Sequence, residues 1–192
     1  MRNEMNKIIY IHGLNSSTEA DNAKVLKKKF GDLVYTPNLP NNPANWEEYL
    51  NDYFIQFKDE EMITIIGSST GGFFADYFAD KYGYNKVLIN PLVDVDDLKV
   101  FVGENTNFHT GEKWTLTIED IQKMKEFVIN KRKVVPTYLF LGVNDDVLDY
   151  RKAEKIFDGH AEIVKKDNGH IYKITDDDLD IITKSLWVSC IY

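Results

Sequence analysis

The chain has 192 residues, 43% of them hydrophobic, enough for one domain with a substantial core. Its 23 Lys and Arg stand against 31 Asp and Glu, and the net charge of −8 argues against a surface for nucleic acid or anionic membrane. No apolar stretch nears the ~18 residues of a membrane span, residues 1–7 show no signal-peptide pattern, and the lone cysteine, Cys190, fits a reducing, cytoplasmic compartment and an incidental thiol.

Strand-like and helix-like segments alternate from the first residues onward. Lys7-Ile8-Ile9-Tyr10-Ile11 is a short apolar run stopped by His12-Gly13. Thr18-Glu19-Ala20-Asp21 reads as a capping-box start, with Ala23, Leu26 and Phe30 on one helical face. Leu33-Val34-Tyr35-Thr36 is β-rich and ends at Pro37. Pro43 suits a first helical turn, after which Trp46, Tyr49, Leu50, Tyr53, Phe54 and Phe57 recur at helical spacing. A third strand, Met62-Ile63-Thr64-Ile65-Ile66, runs into Gly67-Ser68-Ser69-Thr70-Gly71-Gly72 and then a helix marked by Phe73, Phe74, Tyr77, Phe78 and Tyr82. Lys86-Val87-Leu88-Ile89 is the next strand.

Residues 92–117 have the least pattern and read as a long loop, either a lid or a solvated connection. A helix capped near Thr117 carries Ile121, Met124, Phe127 and Val128. Thr137-Tyr138-Leu139-Phe140-Leu141 is a strand, a helix opens near Asp149 and covers Ala153 and Ile156, and Ala161-Glu162-Ile163-Val164 is a weaker strand. Leu179, Ile182 and Leu186 mark the last helix. Nearly continuous apolar strands alternating with helices predict an α/β fold: a mainly parallel sheet between two helical layers, as a single domain over 1–192.

Gly67-Ser68-Ser69-Thr70-Gly71 matches G-x-S-x-G between a strand and a helix, the nucleophile-elbow pattern. A serine hydroxyl needs a base to take its proton and a third group to orient that base. In chain order serine, acid, histidine, His170 is the candidate base, since it follows the last strand. His12 precedes the elbow and reads as an orienting or packing residue; His109 and His160 are less well placed. Asp145, just past a strand end, is the candidate acid, with Asp149, which also reads as a helix N-cap, and Asp94 as alternatives; the adjacent Asp146 would point differently. The oxyanion donors expected are the backbone N–H groups of Thr70 and Leu14. His12, Gly13 and Asn15 in the loop after the first strand, Asn90 after the fourth, and Phe108 are candidate substrate-binding residues. Phe73, Phe74 and Leu92 are further candidates for an acyl pocket, with core packing the alternative for the first two. No Lys follows the glycines as in a phosphate loop, and no Cys/His pair has zinc spacing, so no metal or cofactor is expected.

Several blocks resemble the small bacterial YqiA/YcfP-type esterases. They are the segment from Ile9 to Ser17, Gly67 to Ala75, Leu88-Ile89-Asn90-Pro91, Thr110-Gly111-Glu112, and Asp145 to Arg151. The resemblance implies a minimal α/β-hydrolase without a large cap domain, acting on small-molecule acyl esters or thioesters. It places nucleophile, acid and base on Ser69, Asp145 and His170. Thr70 departs from the family, which usually has an apolar residue there, and Asn168-Gly169 is less glycine-rich than usual. The same triad also serves an acyltransferase or a C–C or lactone hydrolase. A degenerate hydrolase that only binds is the third alternative.

Overall fold

The computed structural model describes residues 6–60 and 62–186; Cys190 and residues 1–5 lie outside that range. Strands β1 (Lys7–Ile11), β2 (Val34–Tyr35), β3 (Ile63–Ser68) and β4 (Asn85–Ile89) are interleaved with helices α1 (Asp21–Phe30), α2 (Trp46–Phe54) and α3 (Thr70–Tyr82). A hairpin follows, β5 (Gly103–Thr106) and β6 (Lys113–Leu116), then α4 (Ile118–Met124), β7 (Thr137–Gly142), α5 (Tyr150–Phe157), β8 (Glu162–Lys166) and α6 (Asp176–Ser185). Among the described residues, six strands form one sheet in the order β2-β1-β3-β4-β7-β8, every pair parallel.

Side-chain alternation along the strands builds a core on each face of this sheet. Ile9, Ile65, Leu88 and Leu139 point to one side, where they meet Leu50, Phe54, Phe74, Phe78 and Phe157 from α2, α3 and α5. Ile8, Ile66, Val87 and Phe140 point to the other and meet Leu26 of α1 and Ile182 of α6. Both faces are covered, which is why the strands read as apolar runs rather than as alternating patterns. Each fully buried large apolar side chain contributes roughly 1.5–3 kcal/mol.

One buried strand residue carries a charge. Lys86 of β4 is 1% exposed, and its Nζ donates to Asp76 Oδ1 of α3 at 2.6 Å. Arg132 holds the other Asp76 oxygen, through Nε at 3.0 Å, and stacks on Phe157. A buried lysine is tolerated here because its counter-charge is buried beside it.

Three expectations are corrected. The Thr18 capping box is absent: α1 starts at Asp21 with Ala20 as its N-cap, and Ser17 Oγ instead accepts from the Glu19 amide at 3.0 Å. The second strand shrinks to two residues at the sheet edge. Residues 92–117 are structured, with a 3-10 helix over Val95–Phe101 and the antiparallel β5–β6 pair. The Thr117 cap is as expected: its side chain accepts from the Asp120 amide at 3.1 Å, and Asp120 reaches back to the Thr117 amide at 2.9 Å.

Candidate active site

β3 ends at Ser68 and α3 begins at Thr70, so Ser69 alone makes the turn. Its φ of 54° and ψ of −124° are strained for a residue with a side chain. Two glycines permit this. A Cβ on Gly67 would lie 2.5 Å from Ala75 Cβ, and one on Gly71 would lie 2.7 Å from the Ile11 carbonyl carbon. The turn is then locked by backbone bonds: Ser69 N–H to Ile89 O at 3.0 Å, and Leu92 N–H to Ser69 O at 3.0 Å.

β7 and β8 deliver the other two groups. Asp145 follows the end of β7, and its Oδ1 accepts from the Val147 and Leu148 amides at 2.9 and 2.8 Å. His170 follows β8; its Nδ1 lies 3.0 Å from both Asp145 oxygens and its Nε2 lies 3.1 Å from Ser69 Oγ. Burial alone would raise the Asp145 carboxyl, but the His170 hydrogen bond and the two amides outweigh it and hold it below its ordinary value. An ionised carboxylate only accepts, so Nδ1 carries the ring proton and Nε2 presents a lone pair to the Ser69 hydroxyl.

The alternative acids are elsewhere. Asp94 caps the 3-10 helix and pairs with Lys152 at 3.1 Å, while Asp149 caps α5 and pairs with Arg151 at 2.8 Å. Asp146 lines the cavity, while the carboxylate hydrogen-bonded to His170 is that of Asp145.

Ser69, Thr70 and His170 open onto a cavity of about 480 Å³, also lined by Leu14, Asn15, Val147, Leu148 and Ile171. Leu98, Phe101 and Phe108 reach it from residues 92–117, and Leu92 also lines it. Phe108 is 80% exposed and Ile171 79% exposed at its edge. Of the expected pocket residues, Phe73 and Phe74 belong to the core instead. Thr70 opens α3, so the helix itself makes no use of its amide.

Three candidate binding residues have other placements. His12 is 3% exposed and does not line the cavity; its Nδ1 donates to Gly13 O at 2.9 Å and its ring packs edge-on against Trp46. Burial pushes the His12 imidazole below its ordinary value, so it is neutral. Gly13 lies directly against Ser69: a Cβ there would sit 3.2 Å from Ser69 Cβ. Asn90 is 2% exposed and lies beneath the site. Its Oδ1 accepts from the Gly142 amide at 2.7 Å, and its Nδ2 donates to Gly169 O and His170 O at 3.0 and 3.1 Å. It therefore ties the end of β7 to the histidine loop, a role that the sequence reading missed. The available signal was a polar residue immediately after a fully buried strand.

Parallel sheet, helices on both faces and a serine at the β3–α3 elbow define a protein of the α/β-hydrolase fold. Among solved structures it is similar to alpha/beta hydrolase domain-containing protein 10 from mouse, with 15% identity and a TM-score of 0.71 over 93% of this chain and 87% of that one. The monoacylglycerol lipase of Paleococcus ferrophilus aligns with 14% identity and a TM-score of 0.68 over 95% of each chain. Est1E from Butyrivibrio proteoclasticus aligns with 16% identity and a TM-score of 0.67, covering 96% of this chain and 87% of that one. The chain belongs to the family described as uncharacterised protein family UPF0227, whose model matches residues 7–185 and which is the YqiA/YcfP type named from the sequence. A UPF0227 protein of Pectobacterium carotovorum subsp. carotovorum (strain PC1) is 25% identical over 174 residues, covering 83% of this chain and 87% of the relative. Among the described residues, no helix is long and apolar enough to cross a membrane and no cluster of three His, Cys, Asp or Glu is placed to hold a metal.

Proposed function

We propose that the protein is a serine hydrolase of carboxylic esters or thioesters that works through an acyl-enzyme on Ser69. The observation that carries this reading is the continuous contact from Asp145 through His170 to Ser69 Oγ, with 3.0 and 3.1 Å steps, opening on an apolar cavity. In the proposed reaction Ser69 Oγ attacks the acyl carbonyl as His170 Nε2 takes its proton. Asp145 keeps the imidazole in the right tautomer and stabilises its charged form. The N–H groups of Leu14 and Thr70 receive the developing oxyanion, reinforced by the N-terminal dipole of α3. His170 returns the proton to the leaving group, then activates water on the acyl-enzyme. None of these steps calls for a cofactor. The lipase and esterase names among proteins of like fold agree with an ester substrate.

The test is a panel of acyl esters and acyl-CoA thioesters of graded length, assayed with wild type and Ser69→Ala. Turnover should depend on Ser69 and on acyl length. A purified, folded Ser69→Ala protein with an undiminished rate would end the proposal. Product analysis with an added alcohol separates hydrolysis from acyl transfer.

A further inference from the structure

We infer that Trp114 is a positioning residue for this reaction, holding the oxyanion donor Leu14 through the side chain of Asn15; the inference rests on the ester-hydrolase reading above. The loop carrying Leu14 has no regular structure of its own, and Asn15 within it takes a left-handed φ of 57°. Such a conformation persists only where its surroundings impose it.

Those surroundings come almost entirely from the β5–β6 hairpin. Trp114 Nε1 donates to Asn15 Oδ1 at 2.7 Å, and Asn15 Nδ2 donates to Asn105 Oδ1 at 3.2 Å. The Phe108 amide donates to Asn15 O at 2.8 Å, and Asn107 Nδ2 donates to Ser16 O at 2.9 Å. On the other side of Leu14, His12 holds Gly13 O. A peptide group is planar, so fixing Gly13 O also fixes the direction of the Leu14 N–H. Leu14 is thus clamped between His12 and a hairpin about 90 residues away in sequence.

The indole N–H is a donor with no acceptor capacity, and it meets the one side-chain oxygen Asn15 has. Packing alone does not require that bond. The same segment also supplies Phe108 to the cavity wall, so the wall that meets the substrate and the loop that meets the oxyanion share one support. Oxyanion donors act on the transition state rather than on the bound ester, so a displaced donor lowers kcat and leaves KM in place.

Trp114→Phe keeps a ring and removes the donor. Loss of a whole oxyanion donor costs ~100–1,000-fold in kcat, so its displacement should cost about ten-fold. KM should be unchanged. Affinity for a trifluoromethyl ketone, whose hemiketal oxyanion uses the same donors, should fall by the same factor as kcat. Asn15→Gly permits the same φ while removing the side chain, and should reproduce the loss. The double variant should be no worse than either single one, because both act through one contact. Wild-type kcat in Trp114→Phe, a loss confined to KM, or additive effects in the double variant would each overturn the inference. Should Trp114→Phe fail to fold, Asn15→Gly decides by the same kcat and KM split. Turnover that persists in Ser69→Ala defeats the underlying reading; Ser69-dependent turnover with a fully active Trp114→Phe defeats only this inference.

Discussion

Replacing Asn90 with alanine should loosen the histidine loop and lower the melting temperature together. The side chain makes three hydrogen bonds, to the Gly142 amide, Gly169 O and His170 O. The Gly142 bond is fully buried, so stranding that amide costs about 2 kcal/mol. The two carbonyls lie in a partly exposed loop that water can reach, and their loss adds about 1 kcal/mol together. Asn90 also holds a φ of 41°, a left-handed conformation that asparagine tolerates better than alanine, which adds about 1 kcal/mol. The total of about 4 kcal/mol corresponds to a fall of roughly 10 °C in a chain of this size. Asn90→Gly loses the same bonds without the strain and should melt ~2–3 °C above Asn90→Ala. Both variants release His170 from its backbone anchor, so the proposed ester turnover should fall by ~10-fold or more through misplacement of the proposed base. Thermal melts by circular dichroism and initial rates at neutral pH measure the two effects. An Asn90→Ala protein that melts within ~2 °C of wild type and keeps its rate would refute this account of the loop.

Asp145→Asn should cut kcat by about 10⁴-fold, because the amide neither fixes the tautomer nor stabilises the imidazolium. Asp149→Asn should remain near wild-type rate, since asparagine caps a helix as well as aspartate does; equal losses in the two variants would undo the proposed choice of Asp145 as the acid. Asp76→Ala leaves Lys86 buried without a counter-charge and should cost ~3–5 kcal/mol in urea unfolding. Asp76→Leu combined with Lys86→Met should recover much of that loss, and failure to do so would mean that shape rather than charge governs the site.

What the sequence made legible follows from how locally each feature is determined. The strand, elbow and helix around Ser69 are contiguous, and the glycines are required there by contacts with Ala75 and Ile11. The buried runs that became β3, β4 and β7 have apolar side chains on both faces and no competing period. The β5–β6 hairpin escaped because Gly103-Glu104-Asn105-Thr106 is polar and half-exposed. Its order depends on Asn15 and Ser16, far away in sequence, which no local pattern reports. Lys86 was hidden in the same way: within an apolar run, only the fold shows Asp76 beside it. Asn90 was noticed through its motif, but its position behind the histidine, rather than beside the substrate, depended on where the loop after β8 would pass.

The order of the sheet also bears on how the protein avoids its own copies. A parallel sheet leaves unpaired N–H and C=O groups along its two outer strands, which invite a further strand from another molecule. Among the described residues the outer strands are β2 and β8. β2 has only two residues, too short to template an addition. β8 carries Glu162, Lys165 and Lys166 in five residues, with Lys165 paired to Glu154 and Lys166 to Asp178. An incoming strand would have to desolvate or displace those charges. The long apolar strands that carry the elbow are thus placed in the middle of the sheet, and its margins are protected against edge-to-edge aggregation by brevity on one side and charge on the other.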